Sequence, residues 1–255
     1  MLRENYLDYV IEHGINPEIG LDARVLDAVE ESVFRSCADA LLENGLAVTF
    51  HGPFVDLSPG STDPQIRTVT RQRFDQVLRL VPLFRPKTVV CHAGYEEFRY
   101  GFMRDEWIAN SIEMWLWLSG EMASAGTRLV LENVFEDGPD DLLPLFEALA
   151  SEGVGFCLDV GHTSAFGSAS LEKWLDVLGP FLHQLHLHDN QGDTDSHLPM
   201  GCGNIDFNIL FEHLLQREDR RPLITLEPHV AKDLWPSLHY LENNWPWDLG
   251  DDDSS

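Results

Sequence analysis

Residues Val154–His162 read Val-Gly-Phe-Cys-Leu-Asp-Val-Gly-His, and the order of residue types in this stretch decides the fold. An unbroken apolar run with no polar alternation is the signature of a strand buried on both faces of a parallel sheet. The run stops at Asp159, a polar residue that marks where the core ends. Val160, Gly161 and His162 follow in a turn, so a carboxylate and an imidazole stand at one strand end.

Working outward, the same syntax recurs. His51 follows Ala-Val-Thr-Phe, His92 follows Thr-Val-Val-Cys, and Glu132 follows Arg-Leu-Val-Leu. His186 lies in Gln-Leu-His-Leu-His-Asp-Asn, and Glu227 follows Leu-Ile-Thr-Leu. Strands are expected near Pro17–Leu21, Ala47–His51, Thr88–His92, Arg128–Glu132, Val154–Asp159, Gln184–His188 and Leu223–Glu227. Helical patterns fill the intervals: Leu26–Asn44, Pro64–Phe84, Arg104–Ala125, Asp140–Ser151, Leu171–Leu178, Phe207–Arg217 and Asp233–Asn243. Strictly alternating strands and helices imply a parallel sheet with crossover helices. Strand C-terminal ends converge when such strands close into a ring, as in a TIM (β/α)8-type barrel, where that rim carries the chemistry. The count is seven strands, and Leu2–His13 reads as helix. Either the first strand is absent, through an upstream start or an open side, or it is too atypical to recognise. Residues 1–247 are read as a single barrel and 248–255 as an acidic tail.

Asp195 and His197 add an Asp-x-His pair in the loop after the sixth strand. With them, nine side chains of ligand type gather at strand ends: His51, His92, Glu132, Asp159, His162, His186, Asp195, His197 and Glu227. A single histidine at a strand end means little, since it is ordinarily a hydrogen-bonded rim residue. This number across six strands points instead to divalent metal ions, with zinc, manganese or cobalt suited to mixed carboxylate and imidazole donors. His188, Phe54 and Tyr95 stand close enough in sequence to these positions to be candidate substrate contacts; a plain rim histidine explains His188 equally, and loop packing explains Phe54 and Tyr95 somewhat better.

Composition excludes several classes. The formal charge of −26 opposes tight binding of nucleic acid, which needs a basic footprint. No apolar run reaches membrane-spanning length and no leader pattern opens the chain, so a cytoplasmic protein is expected. The four cysteines form no Cys-x-x-Cys and read as reduced thiols. None of Lys87, Lys173 and Lys232 falls inside an expected strand near its end, which disfavours Schiff-base chemistry. No nucleophile elbow, phosphate loop or dinucleotide fingerprint is present.

Taken in order, HGPF, CHAGY, LENV, LDVGH, HLHDN, DSHLPMGCGNIDF and LEPH resemble the xylose-isomerase-like barrel superfamily, and within it the endonuclease IV-like branch. The resemblance covers about His51 to Glu227. It implies one to three metal ions per chain: one on His51, His92 and Glu132, one bridged by Glu132 to Asp159, His186 and Glu227, and one on His162, Asp195 and His197. One-metal isomerases of the superfamily use the positions of Glu132, Asp159, His186 and Glu227.

Two activities suit these residues. The first is isomerisation or epimerisation of a small sugar, sugar phosphate or related hydroxy-ketone through a metal-stabilised enediolate, with Glu132 and Glu227 as the acid/base pair. The alternative is multi-metal phosphodiester cleavage, on abasic-site DNA or a small phosphoester, for which the third ligand set has a purpose. The charge favours a small carbohydrate partner over nucleic acid, and an oligomer is compatible with either activity.

Overall fold

In the computed structural model, residues 6–217 and 221–247 are described. The acidic tail and the first residues of the expected N-terminal helix lie outside them. The strands are β1 (Glu18–Gly20), β2 (Thr49–His51), β3 (Thr88–His92), β4 (Arg128–Glu132), β5 (Gly155–Asp159), β6 (Leu182–Leu187) and β7 (Leu223–Leu226). They form one sheet in the order β1 to β7, the strand order of a TIM-type β/α barrel with seven strands in place of eight. No strand precedes β1 among the described residues.

The helices are α1 (Leu7–His13), α2 (Ala23–Ala28), α3 (Glu31–Glu43), α4 (Pro64–Phe84), α5 (Glu97–Tyr100), α6 (Arg104–Ser124), α7 (Leu143–Leu149), α8 (Val160–Ala165), α9 (Leu171–Leu178), α10 (Phe207–Leu215) and α11 (Leu234–Asn244). The single helix expected over Leu26–Asn44 is two, because the chain turns extended at Val29 and Glu30. The helix expected over Asp140–Ser151 shortens to α7, flanked by 3-10 turns. No helix among the described residues is long and apolar enough to cross a membrane.

The chain divides into two compact units, neither a continuous stretch. The first comprises Met1–Gly94, Tyr100–Leu131 and Glu147–Gly155. Here β1, β2 and β3 pair in parallel, with Gly20 opposite His51 and His51 opposite Val90. Asp63 accepts from the Gln65 N–H and Pro64 stands at the first turn, so α4 begins where both local preferences place a helix start. Phe50 of β2 packs edge-on against Phe84 of α4, and Phe74 of α4 packs at a 39° tilt against Trp115 of α6.

The second unit comprises Tyr95–Arg99, Glu132–Phe146 and Phe156–Ser255. β5 pairs with β6 in parallel, placing Asp159 opposite His186, and β6 pairs with β7. Phe146 meets Phe156 edge-on and stacks on Phe181, and Phe156 stacks on Trp174, forming one aromatic cluster.

Candidate metal centre

Asp159 ends β5 and turns the chain into α8. Its carboxylate accepts the His162 N–H at 2.7 Å, so it caps a helix where the sequence pattern predicts only a turn. Asn133 braces the same corner: its side chain accepts the Asp159 N–H and donates to the Asp159 carbonyl, both at 3.0 Å. Glu132 and Asp159 are buried almost completely. Two buried carboxylates this close are costly without positive charge between them.

Imidazoles supply the surroundings. His186 Nδ1 lies 3.3 Å from a Glu132 oxygen and 2.9 Å from a Glu227 oxygen, so two glutamates meet at one ring nitrogen. Beside them stand His162, Asp195 and His197. His162 Nδ1 bonds the main-chain carbonyl of Asn133 at 2.9 Å, and His197 Nδ1 that of Glu227 at 2.7 Å. A carbonyl only accepts, so both rings carry hydrogen on Nδ1 and turn Nε2 inward. Both Nε2 atoms face Asp195 Oδ2, at 3.4 Å and 3.1 Å. Backbone anchoring of one ring nitrogen with the other directed at a shared point is how metal-binding histidines are held.

A neutral Nε2 lone pair facing a carboxylate is repulsive, so something cationic belongs between them. In the metal-free protein a proton takes that place. Burial alone would lower the His162 pKa, but Asp159, Asp195 and Glu132 outweigh it and push it up to about 10. Burial would likewise lower His197, and its contacts with Asp195 and the Glu227 carbonyl raise it. Burial acts to raise Asp195, yet hydrogen bonds from the two imidazoles hold it well below the usual carboxylate range. Two donors sharing a tetrahedral ion at 2.0–2.1 Å stand roughly 3.3 Å apart. The observed spacings match, so the residues present fit a divalent cation.

His188 plays a different part. Its Nε2 lies 3.2 Å from Asp159 Oδ1, and its ring stacks on His197 at 3.7 Å with 6° between planes. His188 thus braces Asp159 and packs His197, and its nitrogen lies within 4.8 Å of donor atoms on His162, Asp195 and His197. Gly161 makes room for that ring: a Cβ there would sit 1.9 Å from His188 Cε1.

Three contributors escape sequence reading. Asp189, fully buried, accepts four main-chain N–H groups, from Asn190, Gly201, Gly203 and Ile205, at 2.8–3.2 Å, and so shapes the loop carrying Asp195 and His197. His229 stacks on the other side of His197 at 3.8 Å; its only sequence signal is a histidine two places past Glu227. Glu136 is buried, and its carboxyl, pushed up to about 7 by desolvation, accepts the Val134 and Tyr95 N–H groups. Tyr95 itself is wholly buried with its hydroxyl donating to Glu97, so here its contacts are with its own loop.

In the first unit, His51 and His92 stand edge to face with ring centroids 5.0 Å apart, and the exposed Phe54 stacks on His92 at 4.1 Å. His51 Nδ1 contacts the Gly52 carbonyl at 3.0 Å, the same anchoring seen in His162 and His197.

The family model described as "Xylose isomerase-like TIM barrel" matches residues 17–245. Among curated proteins, the uncharacterised MJ1311 of Methanocaldococcus jannaschii is 28% identical over 174 residues. That match covers 66% of this chain and spans 59% of that protein's length. A probable endonuclease 4 of Mycobacterium leprae is 23% identical over 186 residues, covering 69% of this chain and 71% of that one. Among solved structures, the TTHB071 protein of Thermus thermophilus, soaked with ZnCl2, superposes with a TM-score of 0.78 at 28% identity, covering 94% of this chain and 92% of that one. A D-psicose 3-epimerase solved with D-fructose superposes at 0.74 with 14% identity, covering 95% and 93%, a likeness of fold.

Proposed function

Because the chain belongs to the xylose isomerase-like TIM barrel family, we propose that it is a divalent-metal-dependent isomerase or epimerase of a small sugar, sugar phosphate or related hydroxy-ketone. The observation that carries this reading is the meeting of Glu132 and Glu227 at His186 Nδ1, at 3.3 Å and 2.9 Å. A divalent ion held by Glu132, Asp159, His186 and Glu227 would polarise adjacent carbonyl and hydroxyl oxygens. The chain's own residues do the rest. The Glu227 side chain is 21% exposed and Glu132 only 1%, so Glu227 is assigned as the base that takes the proton from carbon. That leaves an enediolate; Glu132, entering the cycle protonated, gives its proton to the neighbouring carbon or the opposite face, and the proton taken by Glu227 restores the starting state through solvent. Gln184 and Thr225 brace the His186 ring from below, with Gln184 Nε2 3.4 Å from His186 Nε2 and 3.1 Å from Thr225 Oγ1. We further propose His51 and His92 as an additional ligand pair.

The experiment is a panel of ketoses and sugar phosphates, D-fructose and D-tagatose among them, incubated with zinc-, manganese- or cobalt-loaded protein and analysed by chromatography. An isomer or epimer that forms with wild type and not with Glu227→Gln supports the reading; no product from any sugar removes it. One observation favours phosphodiester cleavage instead: His162, Asp195 and His197 converge, together with His188, as a further donor set, which a one-metal isomerase does not need. Cleavage of an abasic duplex at about 150 mM salt, with no sugar turned over, would put that reading first.

A further inference from the structure

Two phenylalanines beside the metal centre are left uncovered. Phe135 follows the Leu-Glu-Asn-Val that ends β4, and Phe166 follows α8; they are 53% and 39% exposed. Their rings lie 4.9 Å apart at 57°, and Phe166 lies 5.6 Å from the His162 ring. An apolar shelf therefore begins at His162, whose Nδ1 lies 3.5 Å from Glu132 and 3.6 Å from Asp159 of the proposed isomerase centre, and runs outward.

The shelf is fixed in place. Ser168 and Ala169 each donate a main-chain N–H to the Asp137 carbonyl at 3.0 Å, and Ser168 Oγ donates to the Asp137 carboxylate at 2.8 Å. Asp137 N–H is held in turn by Asp141 at 3.1 Å. Gly167 packs so closely that a Cβ would stand 3.2 Å from the Thr163 carbonyl oxygen and 3.4 Å from those of Asp137 and Glu136. The turn after Phe135 is thus clamped to the turn after Phe166. Rings presented on rigid supports bind with little loss of side-chain freedom.

The chemistry selects the occupant. A sugar has hydroxyls, which suit the carboxylate and imidazole centre, and an apolar C–H face, which suits aromatic rings. A second protein chain is a poorer fit, because two phenyl rings about half exposed offer roughly 250 Å² at most, below the roughly 600 Å² that each partner contributes to a stable interface. A nucleic acid strand would meet a chain of net charge −26.

We infer that Phe135 and Phe166 form a platform for the C–H face of the carbohydrate whose hydroxyls meet the metal centre, and that this platform sets which sugars bind. The inference rests on the isomerase reading for the substrate class and on the shelf's geometry for its place. Phe135 and Phe166 are binding residues that take no part in proton transfer.

The test uses full-length, metal-loaded protein with D-fructose and D-tagatose as probes. Saturation-transfer NMR and steady-state kinetics are run on wild type, Phe135→Ala, Phe166→Ala and Phe166→Trp, with metal content measured for each. Removing one ring should raise KM about tenfold, the order expected of one lost aromatic contact, with kcat and metal content unchanged. Saturation transfer to ring C–H protons should fall in the two alanine variants and be retained in Phe166→Trp. Sugar turnover with unchanged KM and unchanged transfer in the alanine variants overturns the platform and leaves the isomerase reading standing. Shelf-dependent transfer without turnover supports the platform and removes the isomerase reading. No transfer from these two sugars or from any other ketose or sugar phosphate of the panel, with no turnover of any of them, overturns both.

Discussion

Replacing Gly161 by alanine is the smallest change that should disable the centre. The added Cβ would sit 1.9 Å from His188 Cε1, 2.4 Å from Nε2 and 2.5 Å from Nδ1. Ordinary contact is about 3.4 Å or more, so the ring must retreat by roughly 1.5 Å. Retreat is obstructed, because His197 is stacked on that ring at 3.7 Å. Overpacking of this kind costs about 1–3 kcal/mol, and loss of the buried His188–Asp159 hydrogen bond, with an ionised acceptor, about 1.5–3 kcal/mol. The metal-free variant should therefore unfold with a stability lower by about 2.5–6 kcal/mol, and its zinc affinity should fall because Asp159 and His197 both lose a support. Urea denaturation of the chelated protein and calorimetric zinc titration measure the two effects. Gly120→Ala is the control: it lies in α6 with nothing within 4 Å of the added atom, and should stabilise by about 0.5–1 kcal/mol. A loss under about 1 kcal/mol with unchanged zinc affinity in Gly161→Ala would refute the brace assigned to His188.

Glu132→Gln should lower metal content more than His197→Ala, since Glu132 approaches both His162 and His186, at 3.5 Å and 3.3 Å; equal loss by elemental analysis would contradict that ranking. Glu136 carries its pKa up to about 7 in the folded state against 4.5 as its ordinary value, so the folded state binds the extra proton between those values. Stability from this group is complete below about pH 4.5, falls by about 3 kcal/mol as pH rises to about 7, and stays flat above. Denaturation across that range should show the slope in wild type and not in Glu136→Gln, and identical pH profiles would exclude the assignment. Asp189→Ala leaves four main-chain N–H groups without their acceptor and should cost about 3 kcal/mol or more, lowering zinc uptake by the Asp195–His197 loop; a fully stable variant with wild-type uptake would remove Asp189 as the organiser.

β3, β4 and β5 are legible because each apolar run is cut off by one ligand-type residue, and a doubly buried parallel strand needs no alternation to be recognised. β3, β4, α4 and α9 follow the sequence boundaries to the residue. α8 is not legible, since its six residues begin at a carboxylate that serves both as helix cap and as candidate ligand. Asp189 and His229 escape for a different reason. Neither carries a local pattern, and what each does depends on a partner brought near by the fold: the glycine-loop amides for one, the His197 ring for the other. The glycine of Asp-Val-Gly-His likewise acquires its meaning only when the His188 ring is seen packed against it. Sequence spacing could propose His188 as a contact; only the contact with Asp159 and the parallel stack on His197 show it as a brace.

Proton exchange tests the central claim most directly. An enediolate formed by Glu227 removing a proton from carbon lets that proton exchange with solvent, whether or not net product accumulates. Metal-loaded protein incubated with D-fructose, D-tagatose and their phosphates in D2O should place deuterium on the carbon adjacent to the carbonyl of at least one sugar, seen as loss of a single C–H signal by NMR, and Glu227→Gln should abolish it. Unchanged C–H signals in every sugar, from protein that carries its full metal content, would contradict the account.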